Sequence, residues 1–102
     1  MLFLVRVTIP VEAGNAMVRD PQWQKRLQGM VGALKPKDVY FTLEGGQRTL
    51  YLILDGVESS RIPAIAEPFW LSYNASVDFI PAMSPKDFAK ASRHIDEAVK
   101  KY

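Results

Sequence analysis

The sequence predicts an α+β domain, a four-stranded antiparallel sheet with helices on one face and one more helix at the C-terminus. Three observations predict it. Residues 39–55, VYFTLEGGQRTLYLILD, read as a β-hairpin turning at Gly45-Gly46. Both turn positions of such a hairpin need positive φ, which glycine adopts at little steric cost. Two further stretches, 2–9 and 75–81, alternate as strands do, and three others repeat their apolar residues with helical spacing. The resulting order is β-α-β-β-α-β followed by a helix. Right-handed crossovers make that order a ferredoxin-like split βαβ with strand order 4-1-3-2.

The first strand is Leu2 to Ile9, with Phe3, Val5, Val7 and Ile9 on one face and Leu2, Leu4, Arg6 and Thr8 on the other; Pro10 ends it. Glu12 to Leu34 reads as helix with a break at Asp20-Pro21, an N-cap followed by proline at the first helical position, which starts a fresh helix or a kinked continuation. Trp23, Leu27, Met30, Val31 and Leu34 then form one apolar stripe, and Pro36 forbids further helix. In the hairpin, Val39 is expected opposite Leu52, Tyr40 opposite Tyr51, Phe41 opposite Leu50, Thr42 opposite Thr49 and Glu44 opposite Gln47. That register separates an apolar face from a polar-aromatic one, and a slip of one residue would scramble the division.

Ser59 or Ser60 is placed to cap the next helix, where Ile62, Ile65, Ala66 and Phe69 recur at helical spacing. Pro68 is expected to end or kink it, because an interior proline removes a hydrogen bond and clashes with the preceding turn. The aromatic cluster Phe69, Trp70, Leu71 and Tyr73 is then expected in an irregular segment. Ala75 to Pro81 is the last strand. Ser84-Pro85-Lys86-Asp87 opens the last helix with a serine cap, a proline at the first position and an acidic residue in the first turn. Phe88, Ala91, Ile95, Ala98, Val99 and Tyr102 make its stripe, which needs a surface to cover.

At 102 residues, 48% hydrophobic and 24% charged, the chain has the composition of a single domain spanning residues 1–102. Its net charge of +2 is dispersed, which argues against nucleic-acid or membrane binding. The RNA-recognition order β-α-β-β-α-β would need a glycine- and aromatic-rich third strand, and residues 48–54, RTLYLIL, supply one aromatic and no glycine. With no cysteine and a single histidine, His94, the chain has no thiolate or multi-histidine metal site, and no cofactor is expected. The opening MLFLVRVTIP lacks a basic leader and no apolar run approaches the roughly 20 residues of a membrane span, so a cytoplasmic location is expected.

One face of the expected sheet carries Phe3, Val5, Val7, Val39, Phe41, Leu50, Leu52, Val77 and Phe79 and is assigned to the helices. The other carries Leu4, Arg6, Thr8, Tyr40, Thr42, Thr49, Tyr51, Ile53, Asp78 and Ile80. A solvated face would hold fewer aliphatic and aromatic residues, and a buried one no arginine or aspartate. The mixture points to a second subunit or a ligand as its cover.

The order of elements, the opening MLFLVRV and this mixed face resemble the dimeric α+β barrel superfamily, which includes muconolactone isomerases and small monooxygenases of antibiotic biosynthesis. Residues 35–55, KPKDVYFTLEGGQRTLYLILD, and 62–91, IPAIAEPFWLSYNASVDFIPAMSPKDFAKA, look more closely like a family of short bacterial proteins with no assigned activity. The resemblance implies a homodimer and either a binding module for a small aromatic or anionic molecule or a cofactor-independent isomerase or monooxygenase. It carries over no catalytic residue.

From the residues themselves, Arg6 and Asp78 are the leading pair, as anion binder and base or as a plain salt bridge. Tyr51 joins them as a catalytic candidate, and Tyr40, Thr42 and Tyr51 as ligand contacts; the favoured reading of the two tyrosines is a cross-strand aromatic pair that needs no ligand. Glu44, at the turn, is expected to be solvated, and His94 to be a boundary residue. Trp23 and Trp70 are expected to anchor the core or an interface.

Overall fold

The computed structural model describes all of residues 1–102. The elements are β1 (Leu2–Ile9), α1 (Val11–Arg19), α2 (Trp23–Ala33), β2 (Asp38–Glu44), β3 (Gln47–Leu54), α3 (Ile62–Tyr73), β4 (Ser76–Ala82) and α4 (Pro85–Lys101). The four strands form one antiparallel sheet in the order β2-β3-β1-β4. This is the expected order, and β2 and β4 are its free edges.

The hairpin has the register read from the sequence, from Asp38 opposite Ile53 to Glu44 opposite Gln47. Gly45 and Gly46 sit at φ 57° and 76°, the left-handed values that make the two-residue turn possible. Of the two alternatives at Asp20-Pro21 the structure shows the fresh start, with α1 and α2 separate helices. Asp20 caps the break: its Oδ1 accepts from the Gln22 amide at 3.0 Å and its carbonyl from the Trp23 amide at 3.0 Å. α2 therefore begins two residues beyond the expected proline position. In α4 the Ser84 hydroxyl accepts from the Asp87 amide at 3.1 Å, the expected cap.

The core lies between the sheet and α1–α3. Phe3, Val5, Val7 and Ile9 of β1 and Leu50, Leu52 and Leu54 of β3 are buried against Met17, Leu27, Val31, Ile65, Phe69 and Tyr73. Phe3 and Phe79 meet edge to face at 5.6 Å between ring centroids, tying β4 to β1.

Three expectations about packing are corrected. First, α3 runs through Pro68 to Tyr73 without stopping, so Phe69–Tyr73 is helical and not irregular. The backbone bond lost at proline is offset by burial on both sides of it. Ile65 and Ala66 precede it, Phe69 and Tyr73 follow it, and all four are buried on one face. α3 ends instead at Asn74, which adopts the left-handed conformation at φ 50° and caps onto Phe69 and Trp70 carbonyls. Second, the helices do not cover β2. Phe41 is 66% exposed and Leu43 is exposed beside it, and an open groove separates α2 from the edge strand. Third, the stripe of α4 covers nothing in its own chain. No residue of α4 is buried and Ala91 alone is partly covered. The chain measures 58 × 27 × 21 Å, and the long axis reflects a helix projecting from the body. No helix is long and apolar enough to cross a membrane.

Candidate functional site

The strand pairing places four side chains in one row across the uncovered face of the sheet: Tyr40, Tyr51, Arg6 and Asp78, from β2, β3, β1 and β4 in turn. On one side lies an aliphatic row, Ile53, Leu4 and Ile80; on the other lie Thr42, Thr49, Thr8 and Ser76. Alternation along each strand makes this inevitable once the register is set, since directly opposed residues share a face.

Arg6 is the hub. Its Nε and Nη2 both donate to Asp78 Oδ2, at 3.2 and 3.1 Å, so Asp78 Oδ1 takes no bond from the guanidinium. Its Nη1 lies 3.8 Å from Glu44 Oε2, and the other oxygen of Glu44 accepts from the Tyr51 hydroxyl. Tyr40 donates to Asp38 Oδ2 at 2.9 Å, at the outer edge of the face. Arg6, Asp78 and Tyr51 are thus brought together as expected from the sequence, and Tyr40 and Thr42 flank them on β2.

Glu44 is exposed, as expected, but it is not merely solvated. It is bonded to Tyr51 and ion-paired with Arg6, although it lies two rows nearer the turn than either. Both long side chains lean along their strands to reach it. They bridge the row of Thr49, which is 2% exposed despite lying on the open face and whose hydroxyl donates to the Gln47 carbonyl at 3.0 Å. The signal in the sequence was a carboxylate at the turn that the hairpin register puts on the same face as Arg6 and both tyrosines.

The electrostatics follow from these contacts. The hydrogen bond to Asp78, then that to Tyr51, holds Arg6 more firmly protonated than a free guanidinium. The bond to Glu44 raises the Tyr51 phenol above its ordinary range, reinforced by desolvation and opposed by Arg6; that to Asp38 raises Tyr40. Both phenols are therefore proton donors near neutrality, and Tyr51 is not poised as a base. A phenol whose pKa is raised on folding contributes stability that is fully present below the unfolded value near ~10 and lost as pH rises through the folded value. Titrating phenolate absorbance should show Tyr51 and Tyr40 ionising later than free tyrosine, with Tyr51→Phe deleting one late component. A Tyr51 phenol ionising earlier than free tyrosine would contradict this geometry.

The remaining candidates lie elsewhere. His94 is exposed on α4, with Nδ1 3.8 Å from Glu97 Oε2, and Trp70 is exposed on α3. Trp23 lines an open apolar groove of about 700 Å³ on the opposite, helical side of the sheet, between α2 and β2. The groove also holds Leu27, Val31, Val39 and Phe41, with Arg48 among its polar residues. Arg48 runs past Gly14 of α1, where a side chain would collide with it, and donates to Asn15 Oδ1 at 3.3 Å. Neither Arg48 nor the groove was singled out from the sequence. No cluster of three or more histidine, cysteine or acidic side chains is arranged to hold a metal.

No known protein-family model matches the chain, and a search of curated proteins finds no match either.

Proposed function

We propose that the protein is a cytoplasmic homodimer of the ferredoxin-like, dimeric α+β barrel type, whose two open sheet faces pack together around a small organic molecule. The observation that carries this reading is the row Tyr40–Tyr51–Arg6–Asp78 set between an aliphatic row and a threonine row on a face no helix covers. The aliphatic row supplies area that association removes from water, while the polar row leaves functional groups for a ligand.

The charge balance narrows the ligand. Arg6 is the only cation among the strand residues of this face and is shared by two carboxylates. An anionic ligand would meet an Arg6 whose charge is already balanced by Asp78 and Glu44. A flat aromatic molecule bearing a hydroxyl or amine does not depend on that charge. It stacks on a tyrosine ring and donates to Asp78 Oδ1, the oxygen Arg6 leaves free. The same balance disfavours nucleic acid, whose phosphates need uncompensated cations.

A second reading, a cofactor-independent isomerase or monooxygenase acting on a small organic substrate, is favoured by the Tyr51–Glu44 contact beside Arg6. There Tyr51 would donate a proton to substrate and Glu44 would hold it in place. Native mass spectrometry tests the first reading: the expected species is twice the 11.5 kDa chain mass, and a retained ligand appears as added mass. A monomer at micromolar concentration overturns it. Tyr51→Phe separates the two readings. Ligand affinity within a few fold of the parent fits binding alone, whereas lost turnover with retained affinity fits the enzyme.

A further inference from the structure

Two unpartnered apolar surfaces remain, and they lie on the same chain: the stripe of α4 and the groove between α2 and β2. We infer that each is the other's partner across the dimer, α4 of one copy seating in the groove of the second in a reciprocal exchange. This rests on the homodimer proposed above and adds to it an interface outside the open sheet faces.

The stripe cannot be a solvent face. Phe88, Ile95, Val99 and Tyr102 are all exposed, and they lie with Ala91 and Ala98 along one side of a 17-residue helix about 25 Å long. A lone helix of that length is close to marginal in water and draws its stability from packing an apolar side. The groove is open in the same way, with Phe41 exposed at its β2 wall and Trp23, Leu27 and Val31 rising from α2.

α4 does not take up the intrachain fit, since none of its residues is buried. α4 leaves β4, and the groove lies under β2, at the opposite edge of the sheet. Three interstrand steps separate those edges, about 14 Å, and only Met83 and Ser84 connect β4 to α4. A second copy removes the obstacle. When two open faces pack about a two-fold axis running along the strands, the β4 edge of each copy comes over the β2 edge of the other. The helix that follows β4 then starts at the partner's β2 edge, and it reaches the groove on the far side of that sheet by passing around the edge where Phe41 and Leu43 are exposed.

Charge points the same way. Helical spacing puts Asp87 and Asp96 on the two flanks of the stripe, with Lys86, Arg93 and Lys100 on its back. Neither Asp87 nor Asp96 has a cation partner, and Arg48 in the groove has an amide acceptor but no carboxylate. A two-fold exchange offers Arg48 one of these carboxylates at each of two equivalent seams.

The absence of cysteine allows a single spin label to be placed by Ser92→Cys, on the flank of the stripe. Spin-labelled chain without nitrogen-15 is refolded with unlabelled nitrogen-15 chain, so that only contacts between copies broaden the observed amides. Expected is loss of most intensity at Gln24, Gln28 and Phe41, with the open-face amides of Leu4 and Ile53 spared. Broadening confined to α4 would mean that α4 pairs with itself, and this too overturns the exchange. If light scattering on the same sample reports a dimer but the groove amides keep their intensity, the exchange is wrong and the dimer stands; a monomer removes both. Finally, a nitrogen-15 chain carrying the label, diluted in excess unlabelled protein, should keep its groove amides sharp. Their broadening there would place α4 on its own groove.

Discussion

Phe69→Ala is expected to destabilise the protein by about 4 kcal/mol, the middle of the range for emptying a buried aromatic site. Phe69 is 1% exposed and is the largest of the fully buried side chains, held between α3 and the β1–β3 core. Two losses combine: the ring's transfer from water, and the contacts its neighbours forfeit around a cavity that a packed sheet cannot close. For a chain of this length each kcal/mol moves the melting temperature by roughly 4–8 °C, so a drop of about 20 °C is expected in a thermal melt. Leu71→Ala is the internal control. It removes an apolar side chain two residues along the same helix, but Leu71 is 79% exposed and the expected change is within about 0.5 kcal/mol. Comparable losses at both positions would mean that α3 presents a different side to the sheet. The same pair bears on Pro68, since only burial beyond the proline keeps that part of α3 helical.

The hairpin was legible in the sequence because its information is local. Gly45-Gly46 admits only a tight turn, and the split of Val39, Phe41, Leu50 and Leu52 from Tyr40, Thr42, Thr49 and Tyr51 permits only one register. The Arg6–Asp78 contact followed from strand order, because neighbouring strands must oppose those positions. What was missed depends on reach and on placement in three dimensions. Glu44 joins the cluster through two side chains leaning along their strands, a distance that pairing of opposed residues does not describe. The continuation of α3 through Pro68 is decided by tertiary burial, which outweighs a local rule worth ~3 kcal/mol. The exposure of Phe41 depends on how far α2 extends towards β2, and periodicity assigns a side chain to a face without saying where its cover ends. The groove and the role of Arg48 within it were hidden for the same reason.

Ile80→Asp is expected to weaken the dimer by a hundredfold or more while leaving the isolated chain folded. Ile80 lies on the edge strand β4, 38% exposed, opposite Leu4 in the aliphatic row of the open face. In a single chain the new carboxylate remains in water, so far-UV circular dichroism should be unchanged. In a face-to-face dimer it is enclosed. The charge of the one cation of the face, Arg6, is already balanced by Asp78 and Glu44 and does not compensate a further carboxylate. An unpaired charge buried at an interface costs about 3–5 kcal/mol, and two-fold symmetry places one on each copy. At 1.4 kcal/mol per tenfold in affinity, one such charge alone gives the stated hundredfold. Light scattering across a dilution series reads the midpoint directly, with Ile80→Val as the conservative comparison that should stay near the parent. If Ile80→Asp leaves the midpoint unchanged, the open face is not the dimer interface. If both variants are monomeric at every concentration together with the parent, no dimer forms and the aliphatic row needs a different cover.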